Sequence, residues 1–185
     1  MNWTTFTPNA YKTLSEIYLP SKRKSIDTQL HCAMGLVTEY SELANGWYSS
    51  VVDDINMAEE IGDMYWYLGI LCNELKLDME EMDEAKYEKK TPGTFVYRIG
   101  IISGMILDFY KKYCYYDKEL DMDKLKDCLK DMFQSISNFC KERKYDMGEI
   151  RNKNIAKLKE RYPDKFDKEK AVKRNLKKER NILES

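Results

Sequence analysis

Apolar residues recur along this chain at spacings of three and four, the mark of one amphipathic helix after another. Leu36, Val37, Tyr40, Leu43 and Ala44 set the period of a helix over 26–46, capped by Ser25 or Asp27 and ending near Gly46. Ile61, Met64, Tyr65, Leu68 and Leu71 set a second over 53–76, with Asp53 or Asp54 as its cap. Gly, Ser and Asp break the pattern between them, and so short a break predicts that the two helices fold back antiparallel. Met79, Met82 and Tyr87 carry the period through a charged stretch, 79–90, which reads as a lid or connecting helix terminated by Thr91, Pro92 and Gly93. Over 94–116 the apolar residues run almost all round the helix, from Phe95 and Val96 through Ile101, Ile102 and Ile106 to Phe109, which predicts burial on more than one side. Leu125, Leu129, Met132, Phe133, Ile136 and Phe139 predict a partner helix over 121–144, capped by Asp121. Residues 94–144 then form a helical hairpin, the other half of a bundle. A last main helix covers 146–162, stopped by Pro163. No alternating stretch exceeds a few residues, so the expected class is all-α, a helical bundle in one domain over 1–185.

Two segments stand outside that pattern. Residues 1–20 carry Phe6, Tyr11, Leu14 and Tyr18, read as an amphipathic flap in which Pro8 starts a short helix and Pro20 closes the segment. Lys22, Arg23 and Lys24 follow, a solvated linker or a lure for phosphate. Residues 164–185 form a charged tail, with Val172, Leu176 and Leu183 as its apolar positions, available to wrap a neighbouring subunit.

The acids of the first two helices change the picture. Glu39 and Glu42 are spaced i,i+3, as are Glu60 and Asp63, so each pair shares one helix face. Antiparallel helices would bring the pairs together beside an apolar seam, where they repel unless a positive group joins them. A hard divalent cation with oxygen ligands is the obvious partner. Nothing basic stands at i+4 from any of the four, which weakens the alternative of a wet, self-paired face. Glu59 is either a fifth acid of the site or a solvated neighbour. Gly62 and Gly69, on one face of the second helix, predict close helix approach. Asn154, Lys157 and Arg161 project in similar directions from the late helix and suit phosphate, unless they are simply a basic solvent face. His31, the sole histidine, is either structural or part of a base or sugar pocket. Trp47 either stacks on a nucleobase or packs, and of Trp66 and Tyr67 one lines the pocket while the other meets a partner subunit.

Composition narrows the classes. With 185 residues, 43% hydrophobic and 34% charged, the chain is large enough for a real core. A net charge of −1 argues against a general nucleic-acid binder, and no apolar run approaches a membrane span or a signal core. Five cysteines without close pairing or metal spacing read as reduced thiols in a cytoplasmic compartment. Charge is uneven: 54–88 is acidic and 151–180 is rich in Lys and Arg, as an acidic metal site facing a basic phosphate site would be. There is no Gly-rich phosphate loop, so nucleotide binding would rely on metal and helix-borne cations.

Glu39-x-x-Glu42 followed by Glu60-x-x-Asp63 resembles the signature of the MazG-like all-alpha nucleoside triphosphate pyrophosphohydrolases, most closely their small phage and bacterial branch. His31, Gly35 and Glu39 match that branch's His before a Gly-Leu-Val-x-Glu run, and Asn56 matches its Asn ahead of the second acid block. Lys157, Leu158, Arg161, Tyr162 and Pro163 match its Lys-Leu-x-x-Arg-Tyr-Pro segment. Thr38 stands where the fuller signature has an acid, and Asn175 where the branch often has Asp. The resemblance implies hydrolysis of (deoxy)nucleoside triphosphates between the α and β phosphates, yielding monophosphate and pyrophosphate. It implies Mg2+, or Mn2+ as substitute, on Glu39, Glu42, Glu60 and Asp63, with Glu59 as a further candidate. It also implies substrate contacts from Asn154, Lys157, Arg161, His31 and Asn56, and a homodimer or homotetramer. A non-catalytic helical interaction protein and a pyrimidine-restricted dUTP or dCTP pyrophosphatase are the alternatives.

Overall fold

The fold, a computed structural model, describes residues 2–13, 24–84, 86–116 and 118–185. The expected flap residues Leu14, Tyr18 and Pro20, and the basic Lys22 and Arg23, lie outside them, as does the side chain of Lys24. Among the described residues the only regular elements are helices: α1 (Trp3–Tyr11), α2 (Lys24–Trp47), α3 (Asp54–Glu74), α4 (Met79–Met82), α5 (Pro92–Tyr116), α6 (Met122–Arg143), α7 (Met147–Arg161), α8 (Lys168–Val172) and α9 (Leu176–Glu184). The all-α class is therefore established. None of these helices is long and apolar enough to cross a membrane.

Helices α2 and α3 form the hairpin on which the rest is built. Gly35 of α2 faces Tyr67 of α3 and Gly46 faces Met57, a register that runs the two antiparallel. Asp53 caps α3 by accepting from the backbone of Ile55 and Asn56. Gly46 lies within α2 and not beyond it, and no glycine takes a left-handed φ. Its lack of a side chain serves packing, since a Cβ there would sit 3.3 Å from Met57 Cγ. The expected caps Ser25 and Asp27 likewise fall inside α2.

The α5–α6 hairpin packs through α5 on α2, where Gly100 meets the Tyr40 ring. Gly62 lets α7 approach α3, with Asn154 and Ile150 against it, and Gly69 admits Phe6 and Trp3 of α1. The core joins these layers through Trp3, Tyr65 and Phe133, whose rings meet edge to face or tilted.

Three expectations fail locally. Pro8 lies inside α1, whose start is set instead by Asn2 accepting from Thr5 N. Among the described residues of 79–90 the only helix is the single turn α4. Beyond it the backbone bonds to α6 instead of to itself: Glu88 N donates to Asn138 Oδ1 at 2.8 Å, and Asn138 Nδ2 donates to Lys86 O at 3.0 Å. Pro92 then opens α5 rather than closing a helix, a first-turn position where its missing N–H costs nothing. The tail folds onto its own chain, with α9 against α7, Lys153 Nζ on Leu183 O at 2.9 Å and Arg180 Nη1 on Asp53 Oδ2 at 2.7 Å.

Candidate metal centre

The antiparallel register sets Glu39 and Glu42 of α2 against Glu60 and Asp63 of α3. One carboxylate oxygen from each of Glu39, Glu42 and Glu60 lies within 4.8 Å of the others. Glu60 is buried, Glu39 half-buried and Glu42 exposed, so the cluster runs from the core to the surface. Burial and the surrounding carboxylates of Asp63, Glu42, Glu39 and Glu59 push Glu60 up to about 9. Burial, with Asp63 and Glu42, pushes Glu39 up to about 7. Without a cation the site therefore holds protons at neutral pH, the signature of carboxylates short of positive charge.

Asp63 stands slightly apart, because it is already engaged. Lys157 Nζ donates to its Oδ2 at 2.6 Å and to Glu59 Oε1 at 2.9 Å, and Asn154 Nδ2 donates to its Oδ1 at 2.5 Å. Lys157 is wholly buried at 0% exposure. Burial alone would lower its pKa, but Asp63 and Glu59 more than offset that and hold it charged. The expected separation of an acidic metal face from a basic phosphate face thus fails at this residue: Lys157 sits in the acid cluster as counter-ion to Asp63 and Glu59.

A cavity of about 420 Å³ opens over the acids. His31, Asn56, Trp66, Tyr67, Arg161, Tyr162, Phe166 and Arg174 also line it. Both Trp66 and Tyr67 line it, although Trp66 also anchors α1 through Nε1 to Ala10 O at 3.2 Å. His31 meets the Tyr67 ring edge-on, and burial lowers its pKa, favouring the neutral imidazole. Trp47, expected as a stacking residue, is not in the lining. It packs edge-on against Phe139 and beside Gly93, filling the α2–α5–α6 junction.

Arg161 lines the cavity but is held by the tail, as Nε and Nη2 donate to Glu179 at 2.8 and 2.7 Å. Arg174, which the pattern reading passed over, lies beside it and reaches Glu59 Oε1 at 3.4 Å. Neither Arg174 nor Glu179 carries a sequence signal, because both sit in a uniformly charged tail whose docking only the tertiary fold reveals.

Comparisons of the chain with protein-family models, with curated proteins and with solved structures find no match.

Proposed function

We propose that this chain is a metal-dependent hydrolase of (deoxy)nucleoside triphosphates, a MazG-like all-alpha pyrophosphohydrolase that cleaves the α–β bond to monophosphate and pyrophosphate. The observation that carries this reading is the convergence of Glu39, Glu42 and Glu60 within 4.8 Å across an antiparallel hairpin, beneath a cavity large enough for a nucleotide. The donor set fits a hard divalent ion such as Mg2+: all its atoms are carboxylate oxygens, the pairs rise from two helices, and Lys157 pairs with Asp63 and Glu59 rather than with Glu39, Glu42 or Glu60. Bound there, the ion would polarise phosphate oxygens and orient an attacking water.

The chain's own groups have separable duties. A carboxylate oxygen of Glu39 or Glu42 that is not on the ion suits the removal of a proton from the attacking water. Lys157 and Asn154 hold Asp63 in one rotamer, so its orientation is fixed before substrate arrives. Arg161 supplies a guanidinium to the polyphosphate side of the cavity. His31, Asn56 and the rings of Trp66 and Tyr67 supply a polar and aromatic surface for base and sugar.

A panel of ribo- and deoxyribonucleoside triphosphates with Mg2+ or Mn2+, scored for pyrophosphate against orthophosphate, tests the reading. Pyrophosphate release is expected, lost in Glu60→Gln and in Asp63→Asn while circular dichroism stays helical. Turnover confined to dUTP or dCTP would identify the pyrimidine-restricted variant. Orthophosphate release, or no turnover of any triphosphate, would overturn the assignment, the latter in favour of a non-catalytic helical interaction protein.

A further inference from the structure

We propose that Arg174, together with Arg161, forms an anion subsite of the cavity that takes adjacent phosphate groups, and that buried Glu179 is the positioning residue for both guanidiniums. The inference rests on the functional reading above for its substrate, a polyphosphate, but its anion chemistry stands on the tail itself.

One of the tail's contacts joins a single carboxylate to two arginines. Glu179, in the first turn of α9, is 3% exposed. It accepts from Arg161 Nε at 2.8 Å and Nη2 at 2.7 Å, and from Arg174 Nη2 at 2.7 Å and Nε at 3.1 Å. Guanidiniums cannot lose their charge at ordinary pH. Arg161 and Arg174 both line the cavity that also holds Glu39, Glu42 and Glu60, whereas Glu179, which holds them, is not part of that lining.

Glu179 can accept only some of the N–H groups that the two forks carry. Because it fixes each fork from the Nε edge, the two planes are set before any ligand arrives, and little side-chain entropy remains to be lost on binding. Among the described residues the other acid that Arg174 meets is Glu59, at a long 3.4 Å, and Glu59 is already shared with Lys157. Lys157 cannot take the anion, since it is fully buried against Asp63 and Glu59. The cationic duty of the cavity therefore falls on the arginines, whose planar forks match paired phosphate oxygens.

Calorimetric titration of the full chain with inorganic pyrophosphate at fixed free Mg2+ tests this, alongside titration with Mn2+ alone. In Arg174→Gln, pyrophosphate affinity should fall by roughly 10- to 100-fold. Mn2+ affinity should hold or rise, because a positive charge beside the acids has gone. Damage to the fold would lower both, so the opposed signs mark a direct role. Arg174→Lys should recover only part of the loss. Glu179→Gln should raise KM for a triphosphate and weaken pyrophosphate binding while leaving kcat near wild type. Should Glu179→Gln lower kcat and KM-independent stability alike, its role is structural and the positioning assignment fails. Wild-type pyrophosphate affinity in Arg174→Gln, or no pyrophosphate binding by the wild type, overturns the subsite. Arg174-dependent pyrophosphate binding by a chain that hydrolyses no triphosphate would uphold the subsite and sink the proposed activity. Normal triphosphate turnover and KM in Arg174→Gln would do the reverse.

Discussion

Gly35 and Tyr67 face one another so closely that no side chain fits between them: a Cβ on Gly35 would fall 2.2 Å from Tyr67 Cζ. This contact brings α2 against α3 one turn from Glu39 and sets the Tyr67 ring that lines the cavity. Gly35→Ala must push the ring aside, and overpacking of this kind costs about 1–3 kcal/mol, more than the ~1 kcal/mol that alanine gains in a helix. The variant should melt lower than wild type. In a Tyr67→Ala background the same change should be neutral or stabilising, because the obstacle is gone. Equal effects of Gly35→Ala in both backgrounds would refute the contact.

Lys157 supplies a second expectation. Replacing it with Met leaves Asp63 and Glu59 without their shared counter-ion, a loss worth about 3–5 kcal/mol for a buried pair broken on one side. Urea unfolding of metal-free Lys157→Met should show that loss, and Mn2+ should restore more stability to the variant than it adds to wild type. A change under ~0.5 kcal/mol would place Lys157 among surface lysines, against its burial.

The raised carboxyls fix the sign of the pH dependence. Glu39 at about 7 and Glu60 at about 9 bind protons more tightly in the folded chain than the unfolded reference of about 4.3 allows. Their contribution is therefore complete below that reference and is lost as pH rises through 7 and 9. Neutral His31 acts in the opposite sense, but its effect is finished by about pH 7. Between pH 7 and about 8.5, below the ordinary cysteine range, the metal-free melting temperature should fall. Glu60→Gln should flatten that fall. Mn2+ should reverse it and release protons, so its stabilising effect grows with pH. A metal-free melting temperature that rises across this window would contradict the acid cluster as described.

The outer face of α5 carries Tyr97, Ile101 and Met105 at 64%, 46% and 47% exposure, spaced one turn apart. The sequence places apolar residues there on more than one side of the helix, and the fold covers only the side bearing Phe95, Val96, Ile99, Ile102 and Ile106. A homodimer through this stripe is the expected outcome, measured by sedimentation at micromolar protein. Ile101→Asp should shift it to monomer. A strict monomer of 22.0 kDa in the wild type would refute it.

Period carried most of the fold into view before any coordinates: α2, α3, α5, α6 and α7 fall within a few residues of their expected spans because each has a continuous apolar face to bury. The convergence of Glu39, Glu42 and Glu60 was legible for a related reason, since i,i+3 spacing puts each pair on one helix face and the short break folds the two helices back on each other. Several of the misreadings share one cause, competition from distant partners. Asn138 claims the backbone of 86–88 that Tyr87 seemed to place in a helix. Phe139 takes Trp47 away from any ligand. Lys157 reads as a phosphate-binding cation because its own helix shows only neighbours, whereas its partners lie on α3. Arg174 and Glu179 had no periodic setting in which to be noticed.

The pair formed by Lys157 and Asp63 spans 94 residues of chain, whereas Glu39 and Asp63 belong to one local hairpin. Local contacts close earlier than distant ones, so α2 and α3 can meet before α7 arrives. Until it does, that hairpin is a bare polyanion whose two arms push each other apart. Acid, which protonates the cluster, or a divalent ion, which bridges it, removes this repulsion at the step where it matters. The rate at which the chain refolds, and not only its final stability, should therefore respond to both.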